Sequence, residues 1–145
     1  MLKYLLLIPL CLFAQITTAQ KLSDLSEGEI LDIKAISEDV IIRYEGLLNI
    51  IADKNTPRST SQKSIDENLV QLFYTPNIKL QDDLNGTEKN IVMADASKYL
   101  SDFNLYYTKT LEARPVKFTD IKVGEPKQGN YLYLQVTYTC TYTRS

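Results

Sequence analysis

The chain has 145 residues, 16 basic against 18 acidic, a formal net charge of −2, two cysteines, and neither histidine nor tryptophan. The basic residues are scattered, with no run that could follow a phosphate backbone, which argues against a nucleic-acid partner. The lack of histidine removes the commonest general base, the imidazole of Ser-His and Cys-His hydrolases and the commonest ligand of catalytic zinc, so neither metal nor cofactor is expected.

Met1 to Ala19 has the layout of a bacterial-type signal peptide. Lys3 is the positive start, Leu5 to Ala14 the apolar run, and Thr17-Thr18-Ala19 a small-residue cleavage signal. Its apolar stretch is too short to span a bilayer, and no later segment approaches that length. The expected organisation is a leader over 1–19 cleaved after Ala19, a lead-in over 20–35 and one domain over 36–145. The protein is thus expected in the periplasm or outside the cell. Cys11 would leave with the leader, so Cys140 would be a lone thiol and no internal disulfide is expected.

Ile36, Val40, Tyr44, Leu47 and Ile51 recur at helical spacing and predict a first helix. Ser37 is a candidate N-cap, with an earlier start allowed by Ile30, Leu31 and Ile33. Asn55-Thr56-Pro57 ends it. A second helix is predicted from Ser64, with Glu67 completing a capping box, or one turn sooner from Ser61. Ile65, Leu69 and Phe73 share its inner face, and Thr75-Pro76-Asn77 stops it.

Ile78 to Leu84 alternates like a short strand with Ile78, Leu80 and Leu84 inward, and Asn85-Gly86 supplies a turn. Ala94 to Asn104 is predicted helical, with Leu105-Tyr106-Tyr107 a short strand after it. In the next strand Val116 and Phe118 fall on one parity but Ile121 and Val123 on the other. One extra residue near Thr119-Asp120, a β-bulge, would return all four to one face. Gln128-Gly129-Asn130 is a hairpin turn.

The last strand has the cleanest pattern. Leu132, Leu134, Val136, Tyr138, Cys140 and Tyr142 line one face; Gln135, Thr137, Thr139, Thr141 and Thr143 line the other, taken as solvent-facing. Thirteen residues, to Arg144, would make a strand of roughly 43 Å, and a ribbon that long curls.

The order of helix, helix, strand, helix and paired long strands resembles the nuclear transport factor 2-like superfamily, including its SnoaL-like enzymes. The similarity is carried by Val116 to Val123 and by Tyr131 to Arg144, within a span of about Ile36 to Arg144. It implies an α+β fold in which a curved antiparallel sheet packs on about three helices, as a cone with a cavity. Relatives usually close the sheet with one further strand, and nothing here corresponds to it. An exposed edge on the final strand would then invite a homodimer or an envelope partner.

Asp82 shares parity with Ile78 and Leu80, so strict alternation turns its carboxylate toward an apolar wall, where a general base acquires a raised pKa. The resemblance implies a cavity aspartate with tyrosines about the substrate oxygen in the isomerase-like branch. Tyr44, Tyr99 and Tyr138 are the pocket candidates. The competing reading frays the strand before Asp82 and leaves Asp82 and Asp83 solvated. Asp83, Asn85, Thr87 and Glu88 lack the glycine and terminal glutamate placement of a calcium loop. With only five glycines there is no phosphate-cradling loop.

The sequence therefore supports an exported, non-catalytic binding or interaction domain that holds a small apolar ligand in its cavity. One alternative is a SnoaL-like or isomerase-like enzyme with Asp82 as base. Another is a structural partner domain that pairs through its edge strand.

Overall fold

The computed structural model describes residues 2–9 (backbone course only), 21–73, 78–82, 90 and 92–143. The cleavage signal, Cys11, Thr75-Pro76-Asn77, the Asp83 to Glu88 segment with its Asn85-Gly86 turn, and Arg144 lie outside the described residues. The fold is α+β: three helices with antiparallel sheets. In chain order they are β1 (Leu2–Pro9), α1 (Glu27–Ala52), α2 (Arg58–Leu72), β2 (Lys79–Gln81), β3 (Met93–Asp95), α3 (Ala96–Tyr106), β4 (Val116–Val123), β5 (Lys127–Gln128) and β6 (Leu132–Tyr142). Among the described residues no helix is long and apolar enough to cross a membrane.

Helix α1 starts well before Ser37. Ser26 is its N-cap: the Ser26 hydroxyl accepts the Glu29 N–H at 3.3 Å, and the Glu29 carboxylate accepts the Ser26 N–H at 2.8 Å. This reciprocal box satisfies two orphan donors of the first turn, so the helix runs through part of the segment read as a lead-in. Ser37 is buried instead, donating its hydroxyl to the Ile33 carbonyl at 2.8 Å. The buried row is Ile33, Ile41, Tyr44, Leu48 and Ile51, whereas Ile36 is exposed. The inner face is thus rotated from the Ile36–Val40 row, although Tyr44, Leu47 and Ile51 are buried as expected.

At the far end the Asp53 carboxylate accepts the Asn55 N–H and the Thr56 hydroxyl, each at 2.9 Å. Helix α2 then begins directly after Pro57, whose fixed φ suits a helix entrance, so Ser64 and Glu67 sit inside it rather than forming a capping box. Ser61 donates its hydroxyl to the Pro57 carbonyl at 3.3 Å.

Strand β2 stops at Gln81 and pairs antiparallel with β3, a strand without a sequence signal. Helix α3 starts at Ala96 and continues through Tyr106, so Leu105 and Tyr106 are helical rather than strand. Ala96, Leu100 and Phe103 are fully buried on its inner face, whereas Leu105 and Tyr106 in its last turn are exposed.

Strand β4 pairs antiparallel with β6, Val116 opposite Tyr142 and Phe118 opposite Cys140. The register shifts between Thr119 and Lys122, and Asp120 adopts φ 53°. This is the β-bulge that the parity switch predicts. β6 has 11 residues and ends at Tyr142, two short of the predicted strand end. Leu134, Val136, Tyr138 and Cys140 are buried on its inner face. Thr139, expected in solvent, is also buried, because β6 is not an edge strand here. It lies between β4 and β1, with Leu2 opposite Cys140 and Pro9 opposite Tyr133.

Candidate functional site

The face of β6 that carries Tyr138 and Cys140 looks onto α1 and α3, and one hollow lies between them. Helix α1 contributes Tyr44 and Leu48, α3 Tyr99, and β4 Phe118; β6 adds Tyr138, Cys140 and Tyr142. Strand β2 closes one side with Lys79, Leu80 and Gln81. The three tyrosine candidates Tyr44, Tyr99 and Tyr138 therefore meet at one place, from three separate elements.

Two groups of rings bound the hollow. On one side Tyr138 stacks on Phe118 with centroids 4.3 Å apart and planes at 26°. Tyr44 meets Phe118 at 5.6 Å and, edge-on, Phe73 at 5.7 Å. On the other side Phe103 stacks on Tyr107 at 4.5 Å, with Tyr99 and Tyr142 at its flanks. The Tyr99 and Tyr142 hydroxyls lie 3.2 Å apart. Offset and edge-on ring pairs of this kind fix the walls, and the phenols leave hydroxyls to hydrogen-bond where the rings meet water.

Counted out to its open mouth, the hollow is about 390 Å³ of atom-free space, but a water centre can visit only about 30 Å³ of it. That is room for about two waters. A methyl group or the edge of a small ring has about the same size.

Asp82 is 3% exposed, as its parity with Leu80 predicts, although β2 ends one residue before it. Its backbone N–H donates to the Val92 carbonyl at 2.8 Å. The wall that β2 presents stops at Gln81, so Asp82 is not part of it, and the described lining carries no carboxylate. Asp82 acts instead on Lys98, whose ammonium is held above its usual pKa chiefly by its hydrogen bond and charge pairing with Asp102, with Asp82 adding a smaller attraction.

Phe118, Leu80 and Tyr142 belong to the hollow and are not among the candidates from sequence. Tyr142 was open to recognition, because it shares strand parity with Tyr138. Cys140 is buried and lines the same wall. Among the described residues no group of three metal-ligating side chains comes together.

No protein-family model, curated protein or solved structure matches the chain.

Proposed function

We propose that the chain is an exported, non-catalytic binding domain that seats a small apolar group between its two ring clusters. The observation that carries this reading is the convergence of Tyr44, Tyr99 and Tyr138 on one hollow. The walls mix rings and aliphatic side chains with polar groups from the tyrosines, Lys79 and Gln81, which suits a small planar or aliphatic group bearing a hydroxyl. Three helices with an antiparallel sheet whose β4 carries a bulge are what supports kinship with the nuclear transport factor 2-like cone. Among the described residues the lining holds tyrosines and no carboxylate, which supports binding over the isomerase-like alternative.

The test is titration with 4-methylphenol, followed by the amide NMR signals of Tyr138 and Cys140. Saturable shifts with a Kd near about 1 mM, roughly −4 kcal/mol, are the expected outcome. Leu80→Phe should fill the hollow and abolish them without unfolding the chain. Shifts that never saturate, or that survive Leu80→Phe, would overturn the reading.

A second reading rests on β1. Leu2–Pro9 covers one edge of β6 over eight residue pairs, and those residues fall within the segment that has the layout of a leader. Its removal would leave an unpaired edge able to take a strand from an envelope partner or a second copy. Light scattering on the chain begun at Gln20 tests this: an oligomer absent from the full chain supports it, and identical masses count against it.

A further inference from the structure

Three successive residues of β2, Lys79, Leu80 and Gln81, line the hollow. Alternation sets the Leu80 side chain on one face of the strand and those of Lys79 and Gln81 on the other. Side chains alone cannot bring all three to one place. Strand β2 therefore stands edge-on to the hollow and offers it main-chain groups beside Leu80.

The hydrogen-bond phase of the β2–β3 ladder identifies those groups. The Asp82 N–H donates to the Val92 carbonyl and the Ala96 N–H to the Ile78 carbonyl, each at 2.8 Å. With Leu80 opposite Ala94, the even-numbered residues are the hydrogen-bonded pairs of this ladder. Lys79 and Gln81, opposite Asp95 and Met93, then turn their N–H and C=O groups away from β3. Among the described residues β2 has no strand on that side. An unpaired edge alone accepts any strand. This one runs past a ring-lined hollow, which narrows the choice.

A strand added antiparallel to this edge has a fixed geometry. Its residues opposite Lys79 and Gln81 exchange N–H···O=C bonds with them. The residue between lies opposite Leu80 and turns its own N–H and C=O outward. Directly opposed residues share a face, so its side chain lies beside Leu80, which is 3% exposed, and enters the hollow. A ring to pack against Phe118 and Tyr138, with a hydroxyl for the phenols around it, describes tyrosine. The tyrosine side chain is 4-methylphenol.

We propose that the hollow and the outer edge of β2 together bind an extended peptide, its main chain paired with Lys79 and Gln81 and a tyrosine seated beside Leu80. This rests on the hollow being a binding site and names the class of its ligand. Main-chain pairing gives affinity and the seated side chain gives selectivity.

The test is titration of the full chain with acetyl-Ser-Tyr-Ser-N-methylamide, followed by the amide NMR signals of Lys79, Gln81 and Cys140. The peptide should bind about tenfold tighter than 4-methylphenol, the surplus of its edge bonds over the cost of ordering it. The same peptide with alanine for tyrosine should not saturate. Methylating either serine nitrogen removes a paired N–H and should weaken binding about tenfold; methylating the outward-facing tyrosine nitrogen should change it less than about twofold. Gln81→Pro deletes an edge N–H that β3 does not use, a position where a strand tolerates proline. It should lower the ratio of peptide to 4-methylphenol affinity. A peptide that binds no tighter than 4-methylphenol, or is as sensitive at the tyrosine nitrogen as at the serines, overturns the proposal and leaves the hollow a small-molecule site. If neither probe saturates, the hollow is no binding site and the proposal falls with it.

Discussion

The carboxylate of Glu45, in the middle of α1, accepts the backbone N–H of Phe118 on β4 at 3.0 Å. One turn on, the Asn49 amide accepts the Val116 N–H at 3.0 Å and donates to the Val116 carbonyl at 2.9 Å. Two helix side chains thus stand in for the strand that β4 lacks on its outer edge. They satisfy backbone groups that would otherwise be buried without partners, and they fix α1 against the sheet at the level of Tyr44 and Phe118.

Glu45→Ala should therefore be costly. It strands the Phe118 N–H, which is buried, and the loss should be about 1–3 kcal/mol. Glu45 also pairs with Arg114, but the Arg114 side chain is 67% exposed. Arg114→Ala should cost less than about 1 kcal/mol, the usual worth of an exposed pair. Urea unfolding of both variants separates the two contributions. Equal losses would mean that the ion pair, and not the strand edge, is what Glu45 serves.

Asp120 at φ 53° gives the bulge its own signature. That left-handed conformation is unfavourable for most side chains and tolerable for aspartate. Asp120→Gly should change stability by no more than about 1 kcal/mol, since lost strain and gained unfolded-state freedom oppose each other. Asp120→Val, β-branched in the same conformation, should destabilise by more than about 1 kcal/mol. Thermal unfolding of the two variants checks the pair, and a well-tolerated valine would show that the bulge re-registers.

The bulge was legible in the sequence because inward residues switch parity between Phe118 and Ile121, and only an inserted residue reconciles them. The phase of α1 was not. Ile36 and Val40 offer a helical row as regular as Ile33 and Ile41, because the helix is apolar on its outer face as well. Periodicity cannot choose between two apolar faces; packing against α2 and the sheet does. Tyr44 belongs to both rows and so was placed correctly by either. Asp82 shows the other boundary. Alternation predicts its burial, but whether a buried carboxylate faces a cavity depends on where β2 ends relative to α1 and α3, and no local pattern carries that. Strand β3, three residues long, is too short to show alternation at all.

Acid stability should depend on two carboxylates at the ends of α1. Glu29 is held below its ordinary pKa by hydrogen bonds from the Ser26 N–H and hydroxyl. Asp53 is lowered chiefly by the Asn55 N–H and the Thr56 hydroxyl. For a group whose folded pKa lies below its unfolded value, stability is fully present above the unfolded value and is lost as pH falls through the folded one. The loss should begin near pH 4.5 for Glu29 and near 3.8 for Asp53, and continue below. Asp53→Asn should flatten the lower part of that profile in urea midpoints taken across the acid range. An unchanged profile would mean that Asp53 is equally acidic in the unfolded chain.

Tyr99 and Tyr142 join α3 to β6 through hydroxyls 3.2 Å apart at the rim of the hollow. Removing either hydroxyl leaves the ring contacts with Phe103 in place, so Tyr99→Phe and Tyr142→Phe should each cost about 0.5–1.5 kcal/mol. If the two hydroxyls act as one contact, the double variant should cost clearly less than the sum, with a coupling of about 0.5 kcal/mol or more. A double-mutant cycle in urea measures it directly. Additive losses would show that each hydroxyl serves a different neighbour, and that this contact does not tie α3 to β6. Weakened retention of 4-methylphenol in Tyr99→Phe, with the fold intact, would then place that hydroxyl against the ligand rather than against Tyr142.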